Sequence, residues 1–112
     1  MDAQELKTIK DLLLEIEEGP NIGRMADIAV MLTGYYARLS EEFKDIEVFR
    51  ADGWLKLREE VKSDNRAEKM WLNTEQGRKW NDLRIKMKYI EKTISSIKLR
   101  LRVAENEARG SY

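Results

Sequence analysis

Between Arg78 and Arg102 the chain carries nine bases and only two acids, Asp82 and Glu91. Lysine and arginine at that density suit phosphate. They neutralise a polyanion and release its counterions whatever its base sequence. The residues expected to do so are Lys79, Arg84, Lys86, Lys88, Lys98, Arg100 and Arg102. Trp71, close to Lys69, Arg78 and Lys79, is the candidate platform on which an unpaired base would stack. Two simpler readings compete. The basic flanks could pair with Glu41, Glu42, Asp45 and Glu47 across a helical hairpin, as charged flanks of coiled coils do. Trp71, like Trp54 and Trp80, could belong to the core, and Tyr35, Tyr36 and Tyr89 are expected in core or interface.

Other chemistries are closed by composition. The chain has no cysteine and no histidine. A thiol nucleophile, a zinc site and the usual neutral-pH general base are therefore excluded. Carboxylate-held Mg²⁺ or Mn²⁺ remains the one metal chemistry open. Two acid pairs have suitable spacing, Glu15 with Glu18 and Glu42 with Asp45. Acids three apart share a helix face. This pattern is similar to that of the all-α nucleoside triphosphate pyrophosphatases, the MazG-like family. It departs from that family where Gly19-Pro20 follows Glu18 directly. That resemblance would imply Mg²⁺-dependent hydrolysis; the leading readings are non-enzymatic and imply no cofactor.

The 112 residues suffice for one small domain, with 42% hydrophobic and 38% charged residues. One proline and six glycines are too few for the many turns of a small all-β fold. The zero formal charge is unevenly distributed: residues 1–23 carry net −4, residues 24–65 net −2 and residues 66–112 net +6. No leader-like basic start and no apolar run of membrane-spanning length are visible, which predicts a cytoplasmic protein with no membrane partner.

Three helical patterns must position these residues. Asp2 caps a first helix with Glu5 three residues on, and Leu6, Ile9, Leu13 and Ile16 form its apolar face. Gly19-Pro20 ends it. Met25, Ile28, Leu32, Tyr35, Leu39, Phe43 and Ile46 stripe a second helix, with a kink or break expected at Ala51–Gly53. Ser63-Asp64-Asn65 predicts the reversal, with Asn65 as a cap. A short turn of helix follows around Met70–Leu72, and Asn73-Thr74 breaks it, Thr74 serving as a cap. Gly77 lowers local helix propensity.

The third pattern is the strongest. Trp80, Leu83, Met87, Ile90, Ile94, Ile97, Leu101, Ala104 and Ala108 alternate steps of three and four. That is a coiled-coil seam on a helix from about Glu75. With Trp80 at position a, Ile85 and Leu99 fall at f and Tyr89 and Val103 at c. They make a second apolar stripe opposite the seam. One hairpin partner covers only one stripe, so these four residues are the candidate protein interface and predict self-association or another protein partner. The expected fold is all-α: one domain built as a long antiparallel helical hairpin with a short N-terminal helix. The expected spans are 1–18, 23–62 and, for the basic C-terminal helix, 66–109.

The linker "MWLNTEQGRKW" and the closing "MKYIEKTISSIKLRLRVAENEAR", with the charged helical half before them, resemble small phage recombination-mediator proteins of the UvsY-like type. The resemblance covers roughly residues 25–109. It implies a helical, oligomeric protein that binds single-stranded DNA. The alternative is a protein-binding module, such as a phage inhibitor of host defence (anti-CRISPR-type) or an assembly adaptor, docking through the second stripe.

Overall fold

The computed structural model describes residues 2–110. Four helices follow one another: α1 (Ala3–Glu17), α2 (Ile22–Val61), α3 (Asp64–Leu72) and α4 (Glu75–Gly110). No strand occurs among the described residues. The fold is all-α, and the two long helices α2 and α4 pack against each other as a helical hairpin. The chain divides into two compact units, each containing a stretch of both long helices.

The first unit holds α1, α2 as far as Arg38, and α4 from Lys88 onward. Asp2 caps α1 by accepting the Glu5 backbone N–H at 2.8 Å. The box is not closed in return, because the Glu5 carboxylate pairs with Arg38 at 2.6 Å. Gly19 closes the helix at a φ of 72°, donating to the Ile16 carbonyl at 3.1 Å. Its left-handed conformation is the one glycine adopts without a Cβ penalty. The α1 core residues are Ile9, Leu12 and Ile16. Leu12 thus takes a central place that the spacing assigned to Leu6 and Leu13, both only half-buried. Ile28 and Leu32 of α2 and Ile90 and Ile97 of α4 are wholly buried. Burying each such side chain contributes about 1.5–3 kcal/mol before conformational entropy is set against it.

The second unit holds α2 from Leu39, α3, and α4 up to Met87. It is small, and two glycines set its geometry. Contrary to the expected break at Ala51–Gly53, α2 runs unbroken through Gly53. A Cβ there would lie 2.9 Å from the Trp71 indole nitrogen. Glycine at this position therefore serves the close approach of a ring rather than an interruption of the helix. At Gly77 the constraint is harder: a Cβ would fall 1.9 Å from the Trp71 carbonyl oxygen. The end of α3 can lie against the first turn of α4 only because no side chain intervenes. Thr74 joins the two by donating to the Trp71 carbonyl at 2.5 Å and accepting the Gly77 N–H at 3.0 Å, the cap its position predicts. The reversal before α3 differs from expectation. Its turn residue is Lys62, at a φ of 51°, and the N-cap is Ser63, with no side-chain cap bond. Asn65 lies inside the first turn of α3 instead of capping it.

Candidate nucleic-acid interface

In the first unit α4 turns its seam inward, through Ile90 and Ile97, and its polar residues outward. Lys88, Lys98, Arg100 and Arg102 are exposed, and so is Lys92. None of these five bases forms an ion pair among the described residues. The one acid among them, Glu91, accepts a hydrogen bond from the Tyr36 hydroxyl of α2. That bond, with burial and the carboxylate charge adding to it, holds the Tyr36 phenol above the ordinary tyrosine range. From Lys88 to Arg102 the helix therefore presents five uncompensated cations, and its single carboxylate is already engaged.

Beside this segment lies a groove of about 430 Å³ lined by Thr33 and Tyr36 of α2 and by Glu91, Ile94, Ser95 and Lys98 of α4. The Thr33 hydroxyl donates back to the Ala29 carbonyl at 2.7 Å. The Ser95 hydroxyl and the Lys98 ammonium have no partner among the described residues. A second hollow of the unit is lined by Met31, Gly34, Tyr35 and Arg38.

The candidates in the second unit are differently placed. Lys79 is exposed and without an ion pair among the described residues. Lys86 pairs with Asp82 on its own helix at 2.7 Å. Arg84 is committed to packing: its guanidinium sits 5.4 Å from the Trp80 ring centroid and donates to Asn81 at 2.9 Å. Trp71 corrects the stacking expectation. It is 2% exposed, set edge-on against Trp80 at 5.5 Å, so it offers no open face to a base. It is the core of this unit, where Trp80 also stacks on Phe43 at 5.7 Å. Arg50 lies over both indoles, 4.5 Å from Trp80 and 5.6 Å from Trp71. Glu68 holds the same guanidinium at 3.2 Å, and the Trp80 N–H donates to Glu47. The Nε atoms of Arg50 and Arg84 are buried without hydrogen-bond partners, and both guanidiniums lie against indole rings. A hollow of about 220 Å³ opens beside Arg50, between Glu47, Trp54 and Glu68.

The second apolar stripe of α4 is where the heptad positions put it. Ile85, Tyr89, Leu99 and Val103 are 55, 48, 60 and 47% exposed. Tyr89 touches α1 through its hydroxyl, which donates to Glu17 at 3.3 Å. The acid pairs do not assemble a metal site: no group of three or more potential ligands is brought together among the described residues. Glu15 is taken by Arg24, whose Nε and Nη2 donate to it at 2.5 and 2.8 Å. That bidentate bond draws the Glu15 carboxyl below the usual range and raises Arg24. Among the described residues no helix is long and apolar enough to cross a membrane.

Sequence reasoning passed over three residues of the candidate interface. Lys92 sits at f between Ile85 and Leu99, and so was hidden within an apolar stripe. Its place one turn after Lys88 was the available signal. Ser95 separates Lys88 from Arg102 on the b flank, but a lone serine carries no charge signal. Tyr36 could not be paired with Glu91, 55 residues away, without the register of the two helices. No family model, no curated protein and no solved structure matches the chain.

Proposed function

We propose that this protein binds single-stranded nucleic acid without sequence preference, through the α4 segment Lys88–Arg102, and that it does so without catalysis. One observation carries the reading: five exposed bases without ion pairs, beside one carboxylate already bonded to Tyr36. Structural cations on a helical hairpin would be expected to meet acids, and these do not. Lys88 with Lys92, and Lys98 with Arg102, stand four residues apart, two pairs of neighbouring charges for a flexible polyanion to follow. With Trp71 inside the core, binding is electrostatic rather than by stacking. The resemblance to recombination-mediator proteins agrees with this and suggests a role in phage recombination or replication. The test is fluorescence anisotropy of a labelled oligothymidylate at low ionic strength. Replacing all five bases by glutamine should abolish binding. Glutamine at the exposed Lys44 and Lys56 of α2 should leave it nearly unchanged. Loss of binding in both sets, or in neither, rejects the assignment.

A second reading rests on Leu99 and Val103, which stand exposed on a face of α4 away from its seam. Exposed branched residues four apart suit docking by another protein chain, including a second copy of this one. Light scattering tests self-association: Leu99→Asp with Val103→Asp should reduce the particle mass. A parent protein already monomeric at high concentration rejects it.

A further inference from the structure

The groove between α2 and α4 has an order along its length. Glu91 and Tyr36 occupy one end, Ile94 follows, and Ser95 and Lys98 form the other end. Arg102 stands one turn beyond Lys98 on the same side of the helix. Seven residues separate Glu91 from Lys98, about 10 Å of helical rise, and the Tyr36 bond holds the carboxylate at its own end. The acid therefore does not neutralise the lysine. Ser95 lies three residues before Lys98, so both share one side of the helix and both line the groove.

From this order we infer that the groove seats one nucleotide of a bound strand, its phosphate against Lys98 and Ser95 and its sugar over Ile94. The inference rests on the nucleic-acid reading above and gives it a defined anchor. An ammonium and a hydroxyl on one wall of the groove suit a phosphodiester: the cation supplies charge, and the hydroxyl supplies a directed donor. The half-buried Ile94 gives an apolar floor for the weakly polar face of a pentose. The acid end repels phosphate, which sets the direction in which the nucleotide lies. The volume falls within the range of small-ligand pockets. Diffuse charge alone would need neither the hydroxyl nor the floor.

The experiment compares single substitutions of equal charge, read by anisotropy of a labelled oligothymidylate at fixed salt. Lys98→Gln should weaken binding about tenfold, whereas Lys92→Gln, outside the groove, should cost about twofold. Ser95→Ala changes no charge and should weaken binding about fivefold, and Ser95→Thr, which keeps the hydroxyl, should restore it. All three positions are exposed, and circular dichroism confirms that helicity is kept. Equal losses for Lys98→Gln and Lys92→Gln, with no effect of Ser95→Ala, overturn the seat while leaving strand binding intact. A parent protein that binds no oligonucleotide removes both.

Discussion

The Arg50 guanidinium lies 4.5 Å from the centre of the Trp80 ring and 3.2 Å from the Glu68 carboxylate, and so ties α2 to both α3 and α4 within the second unit. This one side chain performs there the work that a row of branched aliphatics performs in a larger core. Arg50→Ala should destabilise the unit by about 1–3 kcal/mol, and Arg50→Lys should recover little, because an ammonium lacks the flat face that stacks on indole. Thermal denaturation followed by tryptophan fluorescence checks this. A lysine variant as stable as the parent contradicts the stacked arrangement.

Gly77 should tolerate no side chain. A Cβ 1.9 Å from the Trp71 carbonyl would require the α3–α4 junction to open. Gly77→Ala should therefore cost about 3 kcal/mol or more, although alanine is the better helix former by about 1 kcal/mol. Gly110→Ala, where nothing lies within 4 Å, is the control and should be neutral or slightly stabilising. An unshifted melting temperature for Gly77→Ala rules out the close approach.

Trp71 separates core packing from base stacking. Trp71→Phe should lower stability by about 1–3 kcal/mol, as a partial loss of a buried ring. It should leave oligonucleotide affinity unchanged where the protein remains folded. Selective loss of affinity without loss of stability would return Trp71 to the interface.

Two acid–base contacts give opposite pH signatures. Glu15 is held below its unfolded value by Arg24. Its contribution is present above the unfolded carboxyl pKa and is lost as pH falls through the depressed folded value. Tyr36 is held above its unfolded value by Glu91. Its contribution is complete below about pH 10 and is lost as pH rises through the raised folded value. In an ultraviolet titration Tyr36 should ionise above the ordinary tyrosine range, and Glu91→Gln should lower its midpoint. A titration that Glu91→Gln leaves unchanged would contradict the Tyr36–Glu91 bond.

Much of this architecture was legible in the residues, because helices leave periodic traces. The Trp80–Ala108 spacing marked the seam that buries Ile90 and Ile97, and the c and f positions marked the stripe left exposed at Leu99 and Val103. Asp2, Gly19 and Thr74 announced helix ends through local bonds that need no tertiary knowledge. What escaped depends on contacts distant in sequence. Gly53 looks like a helix breaker until Trp71 is set against it. Arg84 looks like a phosphate ligand until Trp80 lies beneath it. Trp71 looks available until α3 sets it against Trp80. Lys98 becomes more than one base among nine only once Tyr36 and Thr33 enclose a groove beside it.

The most direct test is the salt dependence of oligonucleotide binding. Each phosphate contact by a single-strand binder contributes about −0.7 to the slope of log affinity against log salt, so five bases give a slope of about −3.5. Replacing Lys88, Lys92, Lys98, Arg100 and Arg102 by glutamine should flatten that line. A parent slope near zero, or a steep slope that survives the substitutions, would contradict binding through this segment of α4.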